Sequence, residues 1–157
     1  MINIRDWGEK MRKFQICKGF ENTGVMLPKR KTKYSAGYDI SSNEECDIKS
    51  GETRLVSTGI KAKMEADEVL KIYSRSSLGL KKGLTLANSV GIIDSDYFEN
   101  EQNDGHIMVA LHNFSLSSAH IDKGERIAQG IFSKYLITDD DNSEDIRKGG
   151  FGSTNKK

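Results

Sequence analysis

Asn88, Asp94, Asp96 and Tyr97 stand out because they interrupt an otherwise apolar run, Leu84-Thr-Leu-Ala-Asn-Ser-Val-Gly-Ile-Ile-Asp-Ser-Asp-Tyr. Aspartate is disfavoured in strands, and a carboxylate beside Val-Gly-Ile-Ile loses solvation unless something compensates. Such a hairpin could offer backbone groups to a planar base and a carboxylate that takes a proton from water. Asp94-Ser95-Asp96 would serve equally as an ordinary turn, the commoner use of these residue types. The residues alone leave both readings open.

Other chemistry fails on spacing. The acidic run from Thr138 to Asp145 has oxygen ligands at alternate positions, but Glu144 stands where a calcium loop needs glycine and Gly150 where it needs glutamate. The tail glycines lack the G-K-[ST] ending of a phosphate-binding loop and the last glycine of a dinucleotide fingerprint. His106 and His112 share strand parity but lie roughly 20 Å apart along an extended strand, too far for one metal. All three histidines are expected on the surface or in hairpins. Cys17 and Cys46 form no C-x-x-C pair, so two reduced thiols are expected.

The elements that must position these residues are short. Arg54 to Met64, Val69 to Tyr73 and Gly105 to Phe114 read as strands, separated by turn signals at Lys49–Glu52, Lys81–Gly83, Asn103–Gly105 and Asp122–Glu125. Helical periodicity is scarce, with one short candidate near Ser76–Lys82. Many short strands argue for an all-β closed barrel or sandwich of jelly-roll type; we expect a jelly-roll-like β-barrel with one short helix at most and a flexible C-terminal tail. The chain of 157 residues, with 36% hydrophobic and 30% charged residues, suits one domain. We expect an N-terminal extension at 1–12, a barrel at 13–137, and an acidic linker with a mobile glycine-rich lid at 138–157. Met11 is an alternative start. The net charge of +1 gives no global attraction for nucleic acid or an acidic membrane, so any anion site must be local. No apolar run approaches the ~20 residues of a membrane helix, and no signal peptide is visible at the N-terminus.

Five blocks then occur in order: Ala36-Gly-Tyr-Asp39-Ile, Ser74-Arg75-Ser76-Ser77-Leu-Gly79, Asn88-Ser-Val-Gly91-Ile-Ile-Asp94-Ser-Asp-Tyr97, Gly124-Glu-Arg126-Ile-Ala-Gln129, and Gly149-Gly-Phe151-Gly152-Ser153-Thr154. Together they resemble the five motifs of the trimeric dUTPases, over about residues 25–155. The resemblance implies Mg²⁺-dependent hydrolysis of dUTP to dUMP and pyrophosphate, limiting uracil incorporation into DNA and supplying dUMP for dTMP synthesis. Asp94 would activate the water that attacks the α-phosphate, and Asp39 would hold the magnesium through coordinated water. Asn88, Gly91 and the surrounding backbone would read uracil, and Tyr97 would lie against the deoxyribose, excluding a 2′-hydroxyl. Arg75, Ser76, Ser77, Gln129, Arg147, Gly152, Ser153 and Thr154 would hold the triphosphate, and Phe151 would stack on the base as the tail closes.

The resemblance also implies a homotrimer with shared sites: hairpin from one subunit, second and fourth motifs largely from another, tail from a third. A cytoplasmic enzyme of a bacterium or a phage-infected cell is expected, binding neither nucleic acid nor membrane. Arg126 is a phosphate ligand or, the preferred reading, a structural partner for a carboxylate. Four departures stand out. Ser74 replaces the family's usual proline, and the segment 98–105 is longer than usual. Arg147 lies four rather than five residues before Phe151, so that Lys148 could take its place, and Asn155 stands where glycine is commoner. Competing readings are a dCTP deaminase, a nucleotide-sensing regulatory protein that docks a partner through 1–12 or 98–105, and a non-enzymatic jelly roll.

Overall fold

The computed structural model describes residues 12–150. Eleven strands are present among them: β1 (Lys13–Ile16), β2 (Tyr38–Ser41), β3 (Cys46–Ile48), β4 (Thr53–Ser57), β5 (Ile60–Lys63), β6 (Glu68–Ser74), β7 (Leu84–Leu86), β8 (Gly91–Asp94), β9 (Met108–Asn113), β10 (Ala119–Ile121) and β11 (Arg126–Lys134). The one α-helix among the described residues, α1, spans Ser76–Lys82, and a single 3-10 turn covers Ser95–Tyr97. Every strand pairing is antiparallel. The strands form a four-stranded sheet, β2-β11-β6-β8, a three-stranded sheet, β4-β9-β7, and two pairs, β1-β5 and β3-β10. The result is the expected all-β jelly roll.

Alternation drives the closure. In β9 the residues Val109, Leu111 and Asn113 are buried while their neighbours are only partly covered, as one face turns inward. Ile40, Ile48, Val56, Ile60, Leu70, Leu84, Ile107, Leu111, Ile121 and Ile127 meet inside as one core drawn from all the sheets. Asn113 is buried with them, and its Nδ2 donates to the carbonyls of Ile48 and Ser117, both at 2.8 Å, so its polarity is satisfied. The turn signals hold: Gly51, Gly83, Gly105 and Gly124 all take positive φ, and Gly83 closes α1 in the left-handed conformation. Both cysteines are free and buried; burial pushes the Cys17 thiol up to about 12.

Three sequence expectations need correction. Arg54 to Met64 is not one strand. It breaks at Gly59 (φ +70), where the side chains of Val25 and Phe20 fill the space a Cβ would need, and β4 and β5 pair with different partners. The two arms of the Leu84–Tyr97 segment do not pair with each other: β7 joins β9, whereas β8 joins β6. The segment crosses between sheets, turning at 87–90 through Ser89 (φ 62). His106 does not share a strand with His112. It precedes β9, half-buried against Phe20, its Nε2 accepting the Gly59 N–H at 3.0 Å. Strands end at Lys134, and residues 138–150 contain neither helix nor strand.

Candidate active site

The named residues gather into two clusters, and β6 is the ruler between them. At one end of β6, Val69 faces Asp94 across the ladder. At the other end, Ser74 faces Ala128, and the adjacent Gln129 pairs with Asp39 on the far side of β11. The stretch of strand from Val69 to Ser74 is roughly 17 Å long.

The first cluster lines a cavity of about 270 Å³ with Asn88, Gly91, Asp94, Tyr97, Arg147 and Gly150 at its wall. Gly91 sits opposite Ile72, where a Cβ would lie 3.0 Å from the isoleucine Cβ, so glycine lets β8 approach β6. Asp94 ends β8, and the 3-10 turn that follows carries Asp96 outward and Tyr97 inward. Tyr97 is buried; its O–H donates to the His106 carbonyl (2.7 Å) and its oxygen accepts from Asn103 Nδ2 (2.7 Å). Burial raises the phenol's pKa, keeping it a neutral donor. Arg147 bridges two carboxylates, Nη2 to Asp94 Oδ2 and Nε to Asp96 Oδ1 (2.8 Å). Gly150 lies so close to the Tyr97 ring that a Cβ would overlap it. Glycine there lets the tail backbone run flat over the tyrosine.

The second cluster surrounds Asp39. Arg75 Nε meets Asp39 Oδ1 at 3.1 Å, and Arg126 Nη1 meets Oδ2 at 3.0 Å. Arg126 is therefore a carboxylate partner in this structure. Gln129 donates from Nε2 to the Ser74 carbonyl at 3.3 Å, and its Oε1 occupies the space a Cβ on Gly37 would take. Ser76 and Ser77 open α1 beside them. The hollows here are lined by Arg75, Ser77, Lys81, Lys82 and Arg126 on one side and by Ser74, Ser76 and Gln129 on the other. Arg75, Arg126, Lys81 and Lys82 share this end with the carboxylates of Asp39 and Glu125, which leaves a positive excess.

Within the chain, Arg147 and Gly150 lie against Asp94 and Tyr97. Two neighbouring carboxylates at 94 and 96 attract the first guanidinium within reach. Phe151, Gly152, Ser153 and Thr154 lie outside the described residues, as do residues 1–11. Sequence reasoning missed Asp96 as the second arginine acceptor and Asn103 as the tyrosine's donor; the i, i+6 spacing of Tyr97 and Asn103 across a turn-rich segment was the available signal.

Among the described residues no group of three or more His, Cys, Asp or Glu could hold a metal. The donor set therefore fits magnesium only as an ion that keeps its waters and takes phosphate oxygens, which is that ion's habit. Asp39 suits that use: two of its roughly four lone-pair positions are spent on arginines and the others are open to coordinated water.

Fold and clusters together define a jelly-roll β-barrel whose charged residues converge at the two ends of one central strand. The chain belongs to the dUTPase family, whose model matches residues 23–155. It is 47% identical over 147 residues to the deoxyuridine 5′-triphosphate nucleotidohydrolase of Lactococcus lactis subsp. lactis (strain IL1403), covering 92% of this chain and 98% of that protein. The crystal structure of the dUTPase from Streptococcus mutans superposes with a TM-score of 0.78 at 42% identity, covering 82% of this chain and 99% of that one. An aspartate-to-asparagine mutant of the dUTPase from phage phi11 of S. aureus has the same fold, with a TM-score of 0.69 at 17% identity over 86% of this chain and 97% of that one; that protein coordinates a structural Mg(II) ion.

Proposed function

We propose that this chain hydrolyses dUTP to dUMP and pyrophosphate with Mg²⁺, using Asp94 to activate the attacking water. The observation that carries the reading is the cavity shared by Asn88, Gly91, Asp94 and Tyr97, in a chain of the dUTPase family. Asp94 holds the proton-accepting oxygens at the mouth of the cavity, where water can reach them. Asn88 and the backbone of 88–91 match the donor and acceptor edge of uracil, and the buried Tyr97 ring flanks the sugar. Arg75, Ser76, Ser77 and Gln129 bind the triphosphate, joined by Arg147 and the tail donors Gly152, Ser153 and Thr154. When bound, magnesium offsets the phosphate charge and makes the phosphorus a better electrophile; Asp39 would hold it through water. Phe151 covers the base as the tail closes.

Asp94 and Arg75 stand toward opposite ends of β6, Asp94 paired with Val69 and Arg75 following Ser74, roughly 17 Å of strand apart. This supports a site completed between subunits of a homotrimer, with the Asp94 cavity of one chain facing the Arg75 cluster of the next. The domain reading follows: barrel at 13–137, with 138–157 as linker and lid. No helix among the described residues is long and apolar enough to cross a membrane, and a cytoplasmic location suits an enzyme acting on free nucleotides. Pyrophosphate release should be measured across dUTP, dTTP, dCTP and UTP, with and without chelator. The reading predicts release from dUTP alone, abolished by chelation; ammonia release from dCTP would contradict it.

A further inference from the structure

The segment 98–105 is a hydrogen-bonded cage around Tyr97. Asn103 Nδ2 donates to the phenol oxygen at 2.7 Å, and the phenol hydrogen is committed to the His106 carbonyl at 2.7 Å. Asn103 is itself held, its Oδ1 accepting from Asn100 Nδ2 (2.7 Å) and from the Gly105 N–H (3.2 Å). Asn100, only 8% exposed, also donates to the Tyr97 carbonyl at 2.9 Å. Glu99 and Asp104 adopt positive φ (54 and 59), and Gly105 lies where a Cβ would be 2.8 Å from the Tyr97 carbonyl oxygen. Non-glycine residues in that region carry strain that the surroundings must offset. The surroundings are Lys61, buried, with Nζ at 2.9 Å from both Glu99 Oε1 and Asp104 Oδ2, and the Lys18 N–H, which reaches Asp104 Oδ2 at 2.8 Å.

We infer that Asn103 is a positioning residue for sugar specificity: it fixes the Tyr97 phenol so that the ring admits a deoxyribose and refuses a ribose. This rests on the reading of Tyr97 as the sugar-facing residue. A phenol has one hydrogen to donate; here it is spent on His106 while Asn103 occupies the oxygen. An incoming 2′-hydroxyl therefore meets a ring that cannot swing aside and has no donor to spare. An apolar wall alone rejects an added hydroxyl by only about 10²-fold, so a ring able to yield would forfeit much of that margin.

The test compares kcat/KM for dUTP and UTP, by pyrophosphate release, in the full chain and in Asn103→Ala, Asn103→Asp and Tyr97→Ala. Asn103→Asp keeps an acceptor for Asn100 and Gly105 while losing the donor to the phenol, so it remains informative if the alanine variant folds poorly. Both Asn103 variants should lower the dUTP-to-UTP ratio by about tenfold, the scale of one lost hydrogen bond, mainly through faster UTP turnover. Their kcat on dUTP should stay within about twofold of the parent. A merely structural role would lower both substrates' kcat/KM together and leave the ratio unchanged. The inference is overturned if Tyr97→Ala collapses the ratio while Asn103→Asp keeps it. If Tyr97→Ala also keeps it, the sugar-facing reading has failed and the inference goes with it.

Discussion

Asp94 and Asp39 are both carboxylates gripped by arginine, yet the two grips are built differently. Asp39 is held by Arg75 and Arg126, at the start of α1 and on β11, and its side chain is 20% exposed. Asp94 is held by Arg147 from a segment without regular structure, and its side chain is 47% exposed. The first pair of contacts joins regular elements, tying β2 to the start of α1 and to β11. The second is a half-solvated pair of the kind that contributes at most about 1 kcal/mol and breaks readily. Under the proposed reading, Asp94 would need a partner that can leave in order to take a proton, whereas Asp39 would orient arginines and a hydrated ion and need partners that stay.

The comparison is broken most severely by removing one charged group from each end. Asp94→Asn should lower kcat by about 10²–10⁴-fold with nucleotide binding retained. Arg75→Ala should instead raise KM by about tenfold or more through lost phosphate contacts. Steady-state kinetics and nucleotide titration separate the two; near-normal kcat in Asp94→Asn would assign the base elsewhere. Next in size is removal of residues 147–157, which should reduce kcat/KM by roughly 10–100-fold while the unfolding midpoint of the barrel changes little, because the lost ion pairs are half-exposed. Unchanged kinetics in that variant would remove the tail from the account.

The smallest effect concerns pH. Burial lowers the pKa of His106 below its ordinary 6.5, and its Nε2 must be unprotonated to accept the Gly59 N–H. A depressed value means that the folded state favours the neutral ring, so this contribution is full above pH 6.5 and fades as pH falls through the folded value. Asp104 acts at lower pH: burial opposes its ionisation, but the Lys18 N–H and the Lys61 ammonium hold its carboxyl below its ordinary 3.8. Its contribution is therefore lost only below that range. A melting-temperature profile should decline in two stages on acidification, and His106→Gln should flatten the first while leaving the second. A first stage unaltered by the substitution would free His106 from any part in it.

How much of this could be read beforehand depended on whether the cause was local. The turns were legible because glycine and its neighbours specify positive φ on their own, and α1 because Gly83 and the flanking lysines close a helix over a few residues. The break at Gly59 was missed because the apolar alternation from Arg54 to Met64 runs on through it; only the side chains of Val25 and Phe20, distant in sequence, show why a turn forms there. The five blocks supply candidate site residues through resemblance, but their division between two ends of β6 is a matter of register, which no single segment encodes. Arg147 could not be placed from spacing. Its partners, Asp94 and Asp96, lie 53 and 51 residues earlier and select it by charge.

The central claim is that these two ends form one site only when chains come together. Asp94→Asn and Arg75→Ala subunits, each prepared alone and then co-refolded in equal amounts, test it directly at dUTP concentrations below KM. The account predicts that each variant alone has at most about a tenth of the unmodified protein's activity. The mixture should recover about a quarter of it, the fraction of interfaces joining an intact Asp94 to an intact Arg75 in randomly mixed symmetric rings. A mixture no more active than its two components, despite demonstrated subunit exchange, would contradict it.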